Sequence, residues 1–196
     1  MGRMASVQHA LFHELPRLPE GFWYEEELLS PDEEEALTST FERLPFREFE
    51  FRGFLGKRRT VSFGWRHDFN VRKLQPTETI PTFLLALRQK AAEFADLSED
   101  GLQHALVTEY SPGAAIGWHK DRPEFANVIG ISLGAPCLFR FRRKQGTRWE
   151  RASTELQPRS AYLLGGSARW DWQHSIPPAE TLRYSITFRS LGHSTE

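Results

Sequence analysis

A single cysteine, Cys137, stands among 196 residues, and there are only two methionines. One thiol excludes an internal disulfide and any zinc site built on paired cysteines, and it suits a reducing, cytoplasmic setting. No uncharged apolar run approaches the roughly 20 residues that a bilayer-spanning helix needs. The segment Met1 to His9 lacks the apolar stretch of a signal peptide, so the expectation is an intracellular protein without a membrane partner. Charge of one sign is also missing: 25 Lys and Arg meet 26 Asp and Glu, for a net charge of −1. The total therefore does not suggest a nucleic-acid partner. Internal repeats, low-complexity tracts and obvious linkers are absent as well.

What the chain does have is aromatic mass and uneven charge. Fifteen Phe and six Trp can fill a β-rich core and still line a pocket. Glu25 to Glu35 holds seven acids, Arg52 to Lys73 seven Lys or Arg against one Asp, and Arg140 to Arg151 six against one Glu. Two basic stretches on a neutral chain are either solvated hairpins or a local phosphate-binding face. Residues 1–29 read as an irregular, Pro-punctuated lead-in. Ser30-Pro31-Asp32-Glu33 is a capping box with Pro at the first helical position, and predicts a helix to about Leu44. Pro81 opens a second predicted helix that ends near Asp96. Strands are expected at Ala105–Tyr110, Val128–Leu133, Cys137–Arg142, Ala161–Leu164 and Leu182–Arg189. Helices first and short strands later predict an α+β protein on an antiparallel barrel or double-sheet jelly roll. The length suits one domain over 1–196. Within it, 1–45 reads as an N-terminal extension and helix, 46–100 as substrate-side strands with a supporting helix, and 101–192 as the jelly-roll core.

Trp118-His119-Lys120-Asp121 offers the first chemistry. On an extended segment, residues two apart share a side, so His119 and Asp121 can converge on one metal ion. Such a pair is common by itself, and His174 taken singly reads equally well as a core histidine. Two His and one carboxylate on one face of a metal describe the non-haem Fe(II) facial triad, with positions left open for a cosubstrate and O2. The segment Arg183-Tyr184-Ser185-Ile186-Thr187-Phe188-Arg189 alternates strictly. It reads as a half-buried strand with Arg183, Ser185, Thr187 and Arg189 on one face. Guanidinium groups inside a barrel are costly without anionic partners, and a dicarboxylate would supply one.

His-x-Asp, a distant His and then Arg-x-x-x-x-x-Arg resemble the AlkB family of Fe(II)/2-oxoglutarate dioxygenases. The likeness runs from Arg58 to Gly192 and includes Tyr110-Ser111-Pro112-Gly113 and Ile131-Ser132-Leu133-Gly134. It implies a double-stranded β-helix with the N-terminal helices packed on it, and the cofactor set Fe(II), 2-oxoglutarate and O2. His119, Asp121 and His174 would ligate iron, and Arg183 would pair with the distal carboxylate of 2-oxoglutarate. Tyr110 and Ser185 would bond to the cosubstrate, with Arg189 near its metal-bound end. Thr108 and Ser185 stand where the family usually has Asn, and both keep a hydrogen-bonding group.

The resemblance also implies a nucleic-acid partner, through oxidative demethylation of N-alkylated bases in DNA or RNA; a monomer is the separate expectation. Arg58, Trp65, Phe69, Arg122, Glu124 and Arg140 are the candidates for substrate contact. Phe63-Gly64-Trp65 after Lys57-Arg58-Arg59 could stack a flipped base beside cations, or Phe63 and Trp65 could simply be core. The family's acid soon after the metal Asp is displaced here to Glu124, which keeps a protein hydroxylase or demethylase as the alternative. Two other classes compete. Gly130-Ile131-Ser132-Leu133-Gly134 matches a serine-hydrolase elbow, which requires a strand–turn–helix. A non-catalytic nucleic-acid-binding jelly roll would usually have lost one of the five metal and arginine positions.

Overall fold

A computed structural model describes residues 17–51, 54–68 and 73–192. In chain order these form strand β1 (Phe22–Glu25), helix α1 (Pro31–Phe41), β2 (Arg47–Phe51), β3 (Phe54–Phe63), β4 (Trp65–Asp68) and β5 (Lys73–Pro76). Helix α2 (Leu85–Phe94) follows, then β6 (Leu102–Tyr110), β7 (Ile116–His119), β8 (Phe125–Leu133), β9 (Cys137–Gln145) and β10 (Arg148–Leu156). Next come β11 (Ala161–Leu164), a short helix α3 (Gly166–Trp170), β12 (Gln173–Ile176) and β13 (Arg183–Leu191). A 3-10 turn, Thr82–Leu84, leads into α2, so the helical segment opens after Pro81 as its sequence requires.

A seven-stranded sheet, in the order β1-β11-β8-β13-β6-β3-β2, faces a four-stranded sheet, β10-β9-β12-β7. Every pairing is antiparallel. This is the expected double-stranded β-helix. A separate two-stranded ribbon, β4-β5, stands apart from both sheets.

Strand alternation divides the interior into two layers. On one side of the large sheet, Ala105, Val107, Ile129, Ile131, Leu133, Tyr184, Ile186 and Phe188 pack with Leu37 and Phe41 of α1 and with Leu87 and Ala91 of α2. The helices therefore cover the outer face of that sheet. The α1 start is the predicted capping box: Glu33 N–H donates to Ser30 Oγ at 3.2 Å, and Ser30 N–H to the Glu33 carboxylate at 2.9 Å. Between the sheets lies the second cluster, including Tyr110, Val128, Phe139, Phe141, Tyr162, Trp172 and Ile176.

The lead-in is not wholly irregular, contrary to expectation. Phe22–Glu25 pairs with β11 along its length, and Phe22 stacks on Phe139 and Tyr162 at 6.2 Å. Four residues are too short to register as a period, so only their partners make them a strand. Strands from all three sequence segments thus share the large sheet.

Candidate metal and cosubstrate site

β7 and β12 are neighbours, with His119 opposite His174 in the register. Alternation turns both imidazoles into the gap between the sheets, their centroids 4.3 Å apart. The chain leaves β7 after His119, and Asp121 follows with its Oδ2 3.4 Å from His174 Nε2. The ligand atoms of the three residues lie within 4.8 Å of one another, close enough to share one ion. Among the described residues no other group of three His, Cys, Asp or Glu side chains comes this close.

Neighbouring groups prepare these donors. His119 Nδ1 is 2.9 Å from the Gly117 carbonyl. A carbonyl only accepts, so Nδ1 carries the proton and Nε2 keeps its lone pair for a metal. Burial pushes His119 down, with the nearby Asp121 charge acting against it. Burial and then His119 press His174 down to about 3. Both rings are therefore neutral, as ligation requires. Burial pushes the Asp121 carboxyl up, but Arg189 leads a set of cations that outweighs it and holds Asp121 well below the usual carboxylate range. Arg189 Nη2 and Nε lie 3.0 and 3.1 Å from Asp121 Oδ1.

The polar face of β13 looks into the same gap. Arg183 is 1% exposed, its Nη2 donating to Ser132 Oγ at 3.0 Å and its Cζ 4.5 Å above the Tyr110 ring. Its Nε and Nη1 are buried without a hydrogen-bond partner among the described residues. A buried guanidinium left half satisfied needs an anion, and a carboxylate matches its fork. Ser185, also buried, stands opposite Ser132 on β8 and Thr108 on β6. Two neutral imidazoles and a carboxylate fit Fe(II), and the unpartnered Arg183 nitrogens fit one end of 2-oxoglutarate.

The substrate candidates separate. Arg58 on β3 donates from Nη1 to the Ala115 carbonyl at 3.3 Å, and its charge reaches His119. Arg122 follows Asp121, and its carbonyl accepts from Arg169. Glu124 has a buried Oε2 without a hydrogen-bond partner among the described residues. Trp65 lies half-buried on the β4-β5 ribbon, while Phe63 is core, packed edge-on to Phe83 at 6.5 Å. Arg140 stacks over Trp118 at 5.1 Å, on the side of its sheet away from the imidazoles. Phe69 lies outside the described residues.

Two contributors escaped the sequence reading. Arg169 of α3 is 2% exposed and donates to the carbonyls of Asp121, Arg122, Phe125 and Ala126, clamping the loop that carries Asp121. His104 Nδ1 lies 3.3 Å from Arg189 Nη1, and accepts because a guanidinium can only donate. Arg189 faces His104 in the β13–β6 register, a pairing that no pattern in the sequence announces. Ser132 is no elbow: it sits inside β8, bonded to Arg183, and the chain turns at Gly134 directly into β9. Gly134 takes φ +85°, which a glycine adopts without strain.

Residues 23–189 match the family described as the 2OG-Fe(II) oxygenase superfamily, and the chain belongs to it. The family's reagents are Fe(II), 2-oxoglutarate and O2, and the His-Asp-His cluster is in place for them. Within the superfamily the likeness is to AlkB homologues. The chain is 27% identical over 147 residues to the alkylated DNA repair protein ALKBH8 homolog of Arabidopsis thaliana, across 63% of this chain and 42% of that one. It is 32% identical over 99 residues to an uncharacterized protein of Acanthamoeba polyphaga mimivirus, across 44% of this chain and 47% of that one. The chain thus spans less than half the length of these curated relatives. Among solved structures, OsALKBH1 superposes with a TM-score of 0.67 at 18% identity, covering 90% of this chain and 99% of that one. A 2OG-Fe(II) oxygenase family oxidoreductase from Burkholderia pseudomallei gives 0.59 at 14% identity, covering 87% and 85%. These two likenesses concern the fold.

Proposed function

We propose that this chain is an Fe(II)- and 2-oxoglutarate-dependent dioxygenase that oxidatively demethylates N-alkylated nucleobases in DNA or RNA. The observation that carries the reading is Arg183, a fully buried guanidinium with two nitrogens unpartnered among the described residues, in the same gap as a convergent His-Asp-His cluster.

His119, Asp121 and His174 hold the metal, and Arg183 holds the distal carboxylate of 2-oxoglutarate. Tyr110 and Ser185 supply hydroxyl groups beside it. Arg189 keeps Asp121 ionised and oriented, and His104 keeps Arg189 in place. Fe(II) bound with 2-oxoglutarate and O2 supplies the oxidation of a C–H bond, coupled to decarboxylation of the cosubstrate to succinate and CO2. Phe139, Phe141 and Trp172 wall the site and limit water around it. An N-methyl group oxidised there becomes an N-hydroxymethyl group, which loses formaldehyde to leave the bare nitrogen.

The nucleobase reading is supported by the printed name of the Arabidopsis relative and by Arg58, a cation beside His119. The lone thiol, buried at Cys137, suits a reducing, cytoplasmic setting. No helix among the described residues is long and apolar enough to cross a membrane.

The test incubates the protein with Fe(II), ascorbate, 2-oxoglutarate and oligonucleotides carrying N1-methyladenine or N3-methylcytosine, read by mass spectrometry. Loss of one methyl group, dependent on 2-oxoglutarate and absent in His174→Ala, is expected. Unchanged oligonucleotides alongside intact metal and 2-oxoglutarate binding would move the substrate to protein. Failure to bind both would overturn the dioxygenase reading.

A further inference from the structure

The register lays out the inner face of the large sheet in rows. Ser132 of β8 stands opposite Ser185 of β13, Gly130 opposite Thr187, and Val128 opposite Arg189. Successive rows are about 7 Å apart, the length of two residues along a strand. The first row belongs to the anion end of the gap, because Ser132 Oγ accepts from Arg183. The third belongs to the metal end, because Arg189 grips Asp121. In the middle row β8 contributes only the hydrogen of Gly130, so a recess opens between the two ends.

Tyr162 fills that recess. It faces Gly130 from β11, and a Cβ on the glycine would meet Tyr162 Cζ, Cε1 and Oη at 2.2, 2.3 and 2.5 Å. The hydroxyl end of the ring, not its root, therefore rests on Gly130. Two other rings hold it there: Phe139 of the facing sheet lies tilted against it with centroids 4.8 Å apart, and Phe22 of β1 stacks at 6.2 Å. Phe139 is in turn 5.3 Å from the His174 ring, so a single ring separates Tyr162 from a metal ligand.

Nothing in this packing calls for an oxygen, and a phenylalanine would fill the recess as well. Tyr162 is only 8% exposed, and no hydrogen bond to its hydroxyl is found among the described residues. Burial pushes the phenol well above its ordinary value, with Tyr110 and Asp121 adding to the rise and Arg189 opposing it. The group therefore stays protonated, a donor under the influence of both ends of the gap. A buried donor without an acceptor is costly. An anion held at one end by Arg183 and at the other by the metal ligands must cross the middle row, and would supply the acceptor.

We infer that Tyr162 is a further cosubstrate-binding residue, its hydroxyl donating a hydrogen bond to an oxygen of the keto-acid end of 2-oxoglutarate. The keto-acid end is chosen because the Tyr162 row lies next to that of Arg189 and two residues further from Arg183 than Ser185 does. Gly130, the first glycine of Gly-x-Ser-x-Gly, then serves as the seat of that phenol. The inference rests on the cosubstrate site proposed above and is independent of the nucleobase substrate.

The test measures 2-oxoglutarate binding to the Mn(II)-loaded full chain by calorimetry. Tyr162→Phe keeps the ring and removes only the hydroxyl. It is expected to weaken 2-oxoglutarate about tenfold, the worth of one hydrogen bond to an anion. Mn(II) affinity and the Tm of the metal-free protein should stay at wild-type values. A second readout is the visible charge-transfer band of the Fe(II)-loaded protein with 2-oxoglutarate under nitrogen. That band should shift in Tyr162→Phe, because a hydrogen bond to the keto-acid group alters its electron density. Wild-type affinity, or an unmoved band, in Tyr162→Phe would overturn the inference. So would a lower Tm of the metal-free variant with equal losses of Mn(II) and 2-oxoglutarate binding, which would mark the hydroxyl as a structural group. Arg183→Met separates the two claims. If it weakens 2-oxoglutarate and Tyr162→Phe does not, only the role of Tyr162 fails. If neither variant weakens it, the cosubstrate site itself fails.

Discussion

At the scale of residues, the site is a chain of charges in which each group fixes the next. His104 accepts from Arg189, Arg189 grips Asp121, and Asp121 lies beside His174. At the other end, Arg183 has Ser132 and the face of Tyr110 but no anion among the described residues. Arg183→Met should therefore weaken 2-oxoglutarate binding to the Mn(II)-loaded protein by about a hundredfold, the worth of charge-assisted hydrogen bonds of about 1.5–3 kcal/mol each. Calorimetry should show Mn(II) binding alone nearly unchanged. Burial, then Arg189, also sets a pH dependence by pressing His104 well below its ordinary value. His104, His119 and His174 are all neutral when folded and become free to take a proton when the chain unfolds. Their contribution to stability is complete above the unfolded value of about 6.5 and is lost as pH falls below it. Asp121, held low, loses its contribution only below about pH 4. Urea titrations of metal-free protein should thus show stability falling between pH 6.5 and 5. His104→Asn should reduce that slope by up to about 1.4 kcal/mol per pH unit.

At the scale of elements, the inward faces of the large sheet are matched in volume as well as charge. β8 presents Gly130 where β11 presents Tyr162, and a Cβ at Gly130 would lie 2.2 Å from Tyr162 Cζ. The ring fills what that glycine leaves empty, and it lies tilted against Phe139 with centroids 4.8 Å apart. Gly130→Ala should destabilise by about 1–3 kcal/mol through overpacking, measured by urea unfolding. Tyr162→Val in the same chain should restore part of that loss, because it removes the clashing atoms. The same alternation explains why β13 could be read in advance. Tyr184, Ile186 and Phe188 join the helical layer, and Arg183, Ser185, Thr187 and Arg189 turn into the gap. β1 could not, since Phe22 and Tyr24 acquire meaning only from β11, Phe139 and Gln157.

At the scale of the whole molecule, ligand binding and folding are coupled, because β7, β12 and the loop after β7 meet only in the folded chain. Mn(II) at a hundred times its dissociation constant should add about 2.7 kcal/mol of stability, and 2-oxoglutarate at a hundred times its own about as much again, seen as successive rises in Tm. His174→Ala should abolish the rises, and a chelator should reverse them. The sequence alone determined the strand alternation, the helix start at Ser30 and the types of group available to a metal and a dicarboxylate, since these follow from local spacing and side-chain chemistry. Tertiary structure decided which groups meet. Only β-sheet pairing sets His119 against His174, His104 against Arg189 and Arg142 between two indoles, and only the reach of α3 puts Arg169 on the carbonyls after Asp121. Those contacts join residues far apart in the chain, and neither period nor composition carries information about register between distant strands.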